Sequence, residues 1–275
     1  MKIVLGVDVG GSTTKIVGFS SGTDLIGTLQ VRAADQITSM YGAIGHFLRQ
    51  YSYSLNDVSK IILTGVGASF IDEDVYSIPT HKIEEFQAIG FGGLYTSGKK
   101  SAFVASMGTG TAFVRAAQDE IVHIGGSGVG GGTLLGLSSI LLNTSDTDAI
   151  IALAAHGHLE NVDLAVGDIL GHDIPSLPAN LTASNFGKVK STATESDFAV
   201  GIINMIFQTI GMMAVFAARN DSIKEVILTG SLATLPQAEE VFSGIGGMHA
   251  LNFTIPDNAV FATAIGAAVS VMQNL

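Results

Sequence analysis

The 275-residue chain carries 24 Asp and Glu against 13 Lys and Arg, a net charge of -11, and 47% hydrophobic residues. That length supports a large core or two lobes, of which two are expected, and with no basic run to displace counterions, nucleic acid is excluded as a partner. The absence of cysteine excludes disulfides and thiolate chemistry, and a first strand reached without a basic or cleavable leader sets cytoplasmic residence as the expectation.

In chain order, the first apolar stretch, Lys2 to Asp8, is β-branched and reads as a buried strand with Asp8 at its end. Gly10, Gly11, Ser12 and Thr13 form a glycine-rich turn, and residues 15 to 20 return as the second arm of a hairpin. Glycine admits close backbone approach and successive amides make an anion site, so the natural guest is a nucleotide polyphosphate. A carboxylate at Asp8 can hold Mg²⁺ or its waters, Ser12, Thr13 and Thr14 offer hydroxyls and amides, and Lys15 offers a point charge. The plain alternatives are a strand-end cap for Asp8 and a solvent-facing position for Lys15, because alternate strand residues face outward. Strands follow at 25 to 32 and 60 to 64. A helix between them, Asp35 to Tyr51, rests on Ile37, Met40, Tyr41, Ile44, Phe47 and Leu48 at three- and four-residue spacing. Asp72, Glu73 and Asp74 read as a solvated loop.

A polar turn near Tyr95 to Lys100 marks a lobe boundary, dividing the chain into 1–97 and 98–275. Gly93 to Lys99 falls short of a P-loop, since Lys100 stands where the Mg²⁺-binding hydroxyl belongs, and no Gly-x-Ser-x-Gly elbow occurs. The second portion repeats the pattern of a strand followed by a small-residue turn. Strand 102 to 106 enters Gly108, Thr109 and Gly110, residues 111 to 115 return, strand 121 to 124 enters the turn Gly125 to Thr133, and strand 225 to 229 enters Gly230 and Ser231. Gly130, Gly131, Gly132 and Thr133 should open a helix whose amides and dipole favour an anion. The two portions read as a structural repeat without a short sequence repeat, with nucleotide in the cleft between them. His156, His158 and Glu160 resemble a metal cluster but close a helix-like stretch, where imidazolium suits the dipole. Phe198 to Ala218 is uncharged over close to the roughly 20 residues a bilayer needs. Asn204, Gln208, Gly201 and Gly211 interrupt it, so a buried helix that contributes to a homodimer, and no membrane, is expected.

These motifs resemble those of the actin, Hsp70 and sugar kinase superfamily and, more narrowly, of the type II pantothenate kinases. The resemblance covers nearly the whole chain. It rests on Gly6-Val7-Asp8-Val9-Gly10-Gly11-Ser12, Gly108-Thr109-Gly110-Thr111, Gly130-Gly131-Gly132-Thr133-Leu134-Leu135-Gly136-Leu137, the segment Asn180 to Gly187, and Ala262 to Ala267. It implies an α/β, two-lobed actin-like ATPase (ribonuclease H-like) fold, with a mixed sheet flanked by helices in each lobe. The implied reaction is phosphoryl transfer from ATP, with Mg²⁺, to the hydroxyl of pantothenate, the first step towards coenzyme A.

The resemblance also implies roles. Asp8 lies near Mg²⁺; Gly10, Gly11, Ser12, Thr13 and Lys15 surround the phosphates; Gly108, Thr109 and Gly110 lie opposite. Gly130, Gly131, Gly132 and Thr133 face the nucleotide, and Gly230 and Ser231 lie against its base or ribose. The base that accepts the hydroxyl proton is implied at Glu85, with the adjacent Glu84 as its rival. Acceptor contacts fall on Thr109, Ala112 and His123. The family places a serine where this chain has Ala112 and an arginine where it has His123, and a histidine cannot reproduce two parallel donors to a carboxylate. A different hydroxyl acceptor, or a nucleotide-gated regulator without acceptor chemistry, stays open beside pantothenate.

Overall fold

The computed structural model describes residues 2–20, 24–33, 35–170 and 178–272. The first half runs β1 (Ile3–Val9), β2 (Thr13–Ser20), β3 (Leu25–Arg32), α1 (Gln36–Gln50), β4 (Val58–Thr64), β5 (Thr80–Lys82) and α2 (Glu85–Ser97). The second half opens with β6 (Ser101–Met107), β7 (Thr111–Ala117), β8 (Glu120–Ser127), α3 (Gly131–Leu141) and α4 (Thr147–Ala154). It continues through β9 (Leu164–Ala165), α5 (Val166–Leu170), β10 (Thr182–Ser184), α6 (Glu195–Ala218), β11 (Glu225–Thr229), α7 (Ala238–His249), β12 (Asn252–Thr254) and α8 (Ala262–Val269).

Two five-stranded sheets form in the same order, β3-β2-β1-β4-β5 and β8-β7-β6-β11-β12. In each, the first three strands are antiparallel neighbours and the last two pairings are parallel. Period-2 alternation decides what each face meets. Ile3, Leu5, Val7 and Val9 of β1 pack with Met40, Ile44 and Phe47 of α1. Val17 and Phe19 of β2 pack with Ala264, Ile265 and Ala268 of α8 on the opposite face. In the second sheet, Ala102 and Val104 of β6 and Ile227 of β11 meet Ile89 of α2. Phe103, Ala105 and Met107 turn instead into the largest core, beneath α6 and α7. Helices α2 and α8 therefore form the layer between the sheets, and α1 and α6 cover the outer faces.

The two inner helices cross where neither has a side chain. A methyl at Gly92 would lie 1.8 Å from the Ala262 carbonyl oxygen, and one at Gly266 would lie 1.8 Å from that of Ala88. Both obstacles are backbone and cannot turn aside. Gly266→Ala is therefore expected to destabilise the protein by about 3 kcal/mol or more, the overpacking cost outweighing the ~1 kcal/mol gain in helix propensity. Urea unfolding monitored by circular dichroism checks this, and an unchanged midpoint would refute the crossing.

Several sequence expectations are corrected. Gly125, Gly126 and Ser127 belong to β8 and not to a turn, and β8 is an edge strand with Val122, His123 and Ile124 exposed. Short strands β5, β9, β10 and β12 went unpredicted, because two or three residues carry too little periodicity to register. In α1, Ile37 is exposed while Met40, Ile44, Phe47 and Leu48 are buried. Gly93 sits within α2 against Val104, and Gly98 closes that helix in the left-handed conformation, which accounts for the P-loop-like run.

By length and composition α6 could cross a bilayer, but 61% of its most apolar stretch is buried inside the fold. Its polar side chains have an internal partner. The buried Asp163 carboxylate accepts from Asn204 Nδ2 at 2.8 Å, Asn185 Nδ2 at 3.3 Å and the Phe186 amide at 2.8 Å. Gln208 Nε2 reaches Thr182 Oγ1 at 3.1 Å. The segment Asn180 to Gly187 thus contributes a hairpin fastened to α6.

Candidate active site

The hairpin β1-β2 places Asp8 directly opposite Lys15, and the parallel pairing with β4 places it beside Thr64. Opposed residues share a face, so all three turn towards the inner layer with Gly6, whose missing side chain makes room for the α8 backbone. Lys15 is 8% exposed, which removes the plain alternative of a solvent-facing position: β2 is covered on both faces, by α1 and by α8. Its ammonium closes no hydrogen bond or ion pair with a described residue. Its charge lies near those of Asp8 and Glu85 without closing an ion pair with either.

Glu85 is the first residue of α2, partly buried, whereas Glu84 precedes the helix and is exposed. Asp8 and Glu85 sense each other and Lys15. Desolvation pushes the Asp8 carboxyl up to about 6; the Lys15 charge opposes the rise and the Glu85 charge adds to it. Burial likewise raises Glu85 above its ordinary value, again opposed by Lys15. The structure thus brings Asp8, Lys15 and Glu85 into one electrostatic unit that excludes Glu84. A carboxyl with a raised pKa, next to an unpaired ammonium, is the arrangement expected of a proton acceptor beside an anionic ligand.

The second and third glycine turns meet at the end of β6. Open space surrounds the Cα of Gly11, and nothing lies nearer than 3.8 Å to where a Gly108 side chain would begin. The second and third turns are bound to each other: the Gly131 and Gly132 amides donate to the Gly108 and Thr109 carbonyls, both at 2.8 Å, and Thr111 Oγ1 donates to the Val129 carbonyl at 2.8 Å. Thr133 Oγ1 donates to the Gly128 carbonyl at 3.0 Å and accepts from the Gly130 amide at 3.2 Å. Two of the α3 amides expected to face an anion are therefore occupied by backbone. Ser231 is exposed, and Gly230 at φ 89° closes against β6, where a side chain would stand 2.4 Å from the Met107 carbonyl oxygen.

His123 lies on β8 and stacks on Phe86, the residue after Glu85, at a centroid distance of 3.7 Å and an interplanar angle of 6°. Ala112 and Phe86 pack against one apolar cluster. Gln87 Nε2 also donates to the Ile121 carbonyl at 3.2 Å, so β8 holds the first turn of α2 in place. His156, His158 and Glu160 are exposed, with His158 Nδ1 3.8 Å from Glu160.

Among the described residues no three His, Asp or Glu converge. A cation held at Asp8 would take most of its oxygens from a ligand's phosphates and from water, as Mg²⁺ does in phosphoryl-transfer sites. The buried hydroxyl of Thr64, unpartnered beside Asp8, fits a site completed by further oxygen ligands or water.

Thr64 and Gly65 escaped the sequence reading. Ile62-Leu63-Thr64-Gly65-Val66-Gly67-Ala68 recurs as Ile227-Leu228-Thr229-Gly230-Ser231-Leu232-Ala233, a short sequence repeat after all. Both threonines are buried with unpartnered hydroxyls. Both glycines adopt positive φ, 86° and 89°, with their Cα against the carbonyl of Val9 in one sheet and of Met107 in the other.

A family model described as Fumble matches residues 102–240. A type II pantothenate kinase of Staphylococcus aureus (strain USA300) is 29% identical over 280 residues, covering 97% of this chain and 98% of that protein. Another, of Bacillus cereus (strain G9842), is 27% identical over 240 residues, covering 84% of each. Among solved structures, the activator of the 2-hydroxyisocaproyl-CoA dehydratase from Clostridium difficile with bound ADPNP superimposes with a TM-score of 0.72 at 12% identity, covering 98% of this chain and 94% of that one. The ROK hexokinase from Thermus thermophilus gives 0.59 at 14% identity, covering 98% of each chain. At such identities the likeness establishes the fold: two mixed sheets flanked by helices, as in actin-like ATPases and sugar kinases.

Proposed function

This chain belongs to the Fumble family, and on that premise we propose that it is an ATP-dependent kinase that phosphorylates the hydroxyl of pantothenate. The observation that carries the reading is the buried Lys15, whose charge acts on two carboxyls of raised pKa, Asp8 and Glu85. Lys15 would attract the transferring phosphoryl group, Asp8 would hold a Mg²⁺ that comes with the nucleotide, and Glu85 would take the proton from the acceptor hydroxyl. The metal, when bound, neutralises phosphate charge. The amides of the turn Gly10, Gly11, Ser12 and Thr13 orient the phosphates. Gly108, Thr109 and Gly110 approach from the second sheet, and Gly130 to Thr133 and Gly230 with Ser231 border the nucleotide. Thr109, Ala112 and His123 border the acceptor.

In the same proposal the lobes are 1–97 and 98–275, with α8 returning to cover the first sheet. Support comes from the two equivalent sheets. A homodimer in the cytoplasm completes it, supported by exposed Val122 and Ile124 on edge strand β8 and by Phe216, 62% exposed, on α6. Light scattering should give about twice 28.3 kDa, and a monomer mass would reject the dimer.

ADP release measured with ATP, Mg²⁺ and pantothenate tests the activity, with a panel of other hydroxyl compounds alongside. Release that depends on pantothenate is expected. Release with another compound alone would replace the acceptor, and ATP-induced thermal stabilisation without release would favour a nucleotide-gated regulator.

A further inference from the structure

The internal repeat aligns the two sheets residue by residue. In the first, Asp8 is flanked by Lys15 on β2 and Thr64 on β4. In the second, Ser106 is flanked by Ala112 on β7 and Thr229 on β11. A glycine follows two residues later in both, Gly10 and Gly108. Ser106 is thus the counterpart of Asp8, and it shares a face with Val104, which touches α2 at Gly93.

Ser106 is partly exposed, and its hydroxyl has no hydrogen bond with a described residue. Its neighbours on that face offer no competing group. Ala112 is directly opposite, with Cβ atoms of such pairs about 4.5 to 5.5 Å apart, Gly126 lies beyond it on β8, and the Thr229 hydroxyl is fully buried. Ala112 packs against the same cluster as Phe86, next in sequence to Glu85. A base must stand within hydrogen-bond reach of the hydroxyl it deprotonates, so the acceptor lies along this face.

We propose that Ser106 is the acceptor-binding hydroxyl of the second lobe and sets acceptor specificity through a hydrogen bond to a polar group of the acceptor. This rests on the kinase reading. The first sheet presents charge to the phosphates, and the second presents one neutral donor to an uncharged part of the acceptor.

The test is steady-state kinetics with pantothenate and ATP varied separately. Ser106→Ala should raise the KM for pantothenate about fivefold or more while leaving the KM for ATP unchanged, as loss of one net hydrogen bond predicts. The double variant Ser106→Ala with Ala112→Ser returns a hydroxyl to the same face from the adjacent strand and should recover much of that loss. An unchanged pantothenate KM in Ser106→Ala, or a rise confined to ATP, overturns the proposal while the kinase reading stands. A wild type that releases no ADP with any acceptor overturns both.

Discussion

Replacing Glu85 by Gln is expected to lower turnover by about 10²- to 10⁴-fold, the range over which a positioned general base contributes. The substitution keeps the size and the start of α2 but removes the proton acceptor. Nucleotide affinity should barely move, because in the proposed mechanism Lys15 and the glycine turns, not Glu85, hold the phosphates. Burial raises the Glu85 pKa, so the acidic limb of the pH profile of kcat/KM should fall above the ordinary glutamate value of 4.5. That limb should vanish in Glu85→Gln. Glu84→Gln is the control: exposed and outside the Asp8–Lys15–Glu85 unit, it should behave as wild type. Loss of activity there, with Glu85→Gln fully active, would move the base to the neighbour.

The second large effect belongs to Asp8, and its sign runs against intuition. The folded state raises the Asp8 pKa from 3.8 to about 6, chiefly by desolvation. A raised pKa means that the folded protein binds this proton more tightly than the unfolded chain does. The contribution is fully stabilising below about pH 4 and is lost as pH rises through about 6. Above that, the buried charge costs at most about 3 kcal/mol, reduced by the water that reaches the cleft. Asp8→Asn removes the titration, so without ligand at pH 7 to 8 it should melt several degrees above wild type, the gap closing between pH 6 and 4. The same variant should lose the stabilisation that wild type gains from ATP with Mg²⁺. Differential scanning fluorimetry across pH, with and without nucleotide, reads both effects. A variant less stable than wild type at pH 8, or one equally stabilised by ATP, would remove Asp8 from the site.

The departures at Ala112 and His123 take a different meaning once the geometry is known. His123 lies flat on Phe86, the residue after Glu85, and packs at the start of α2. Ala112 faces Ser106, which offers a hydroxyl on the same patch. Reading along one strand finds neither relation, since both join residues of separate elements.

What the sequence by itself determined is local. Apolar, β-branched runs located strands β1, β2 and β6, three- and four-residue spacing specified α1, and glycine after a strand end located the turns around Asp8, Gly108 and Gly230. These signals are legible because backbone geometry repeats every 2 or 3.6 residues, whatever the element packs against. Tertiary structure alone decided which side of β2 was covered, and so that Lys15 is buried; it also separated Glu85 from Glu84, one residue apart yet unlike in exposure. Desolvation and charge coupling depend on what folds back against a residue. Here that is α2 and α8, helices some 75 and 250 residues along the chain from Asp8, and no pattern in the neighbourhood of Asp8 encodes their arrival.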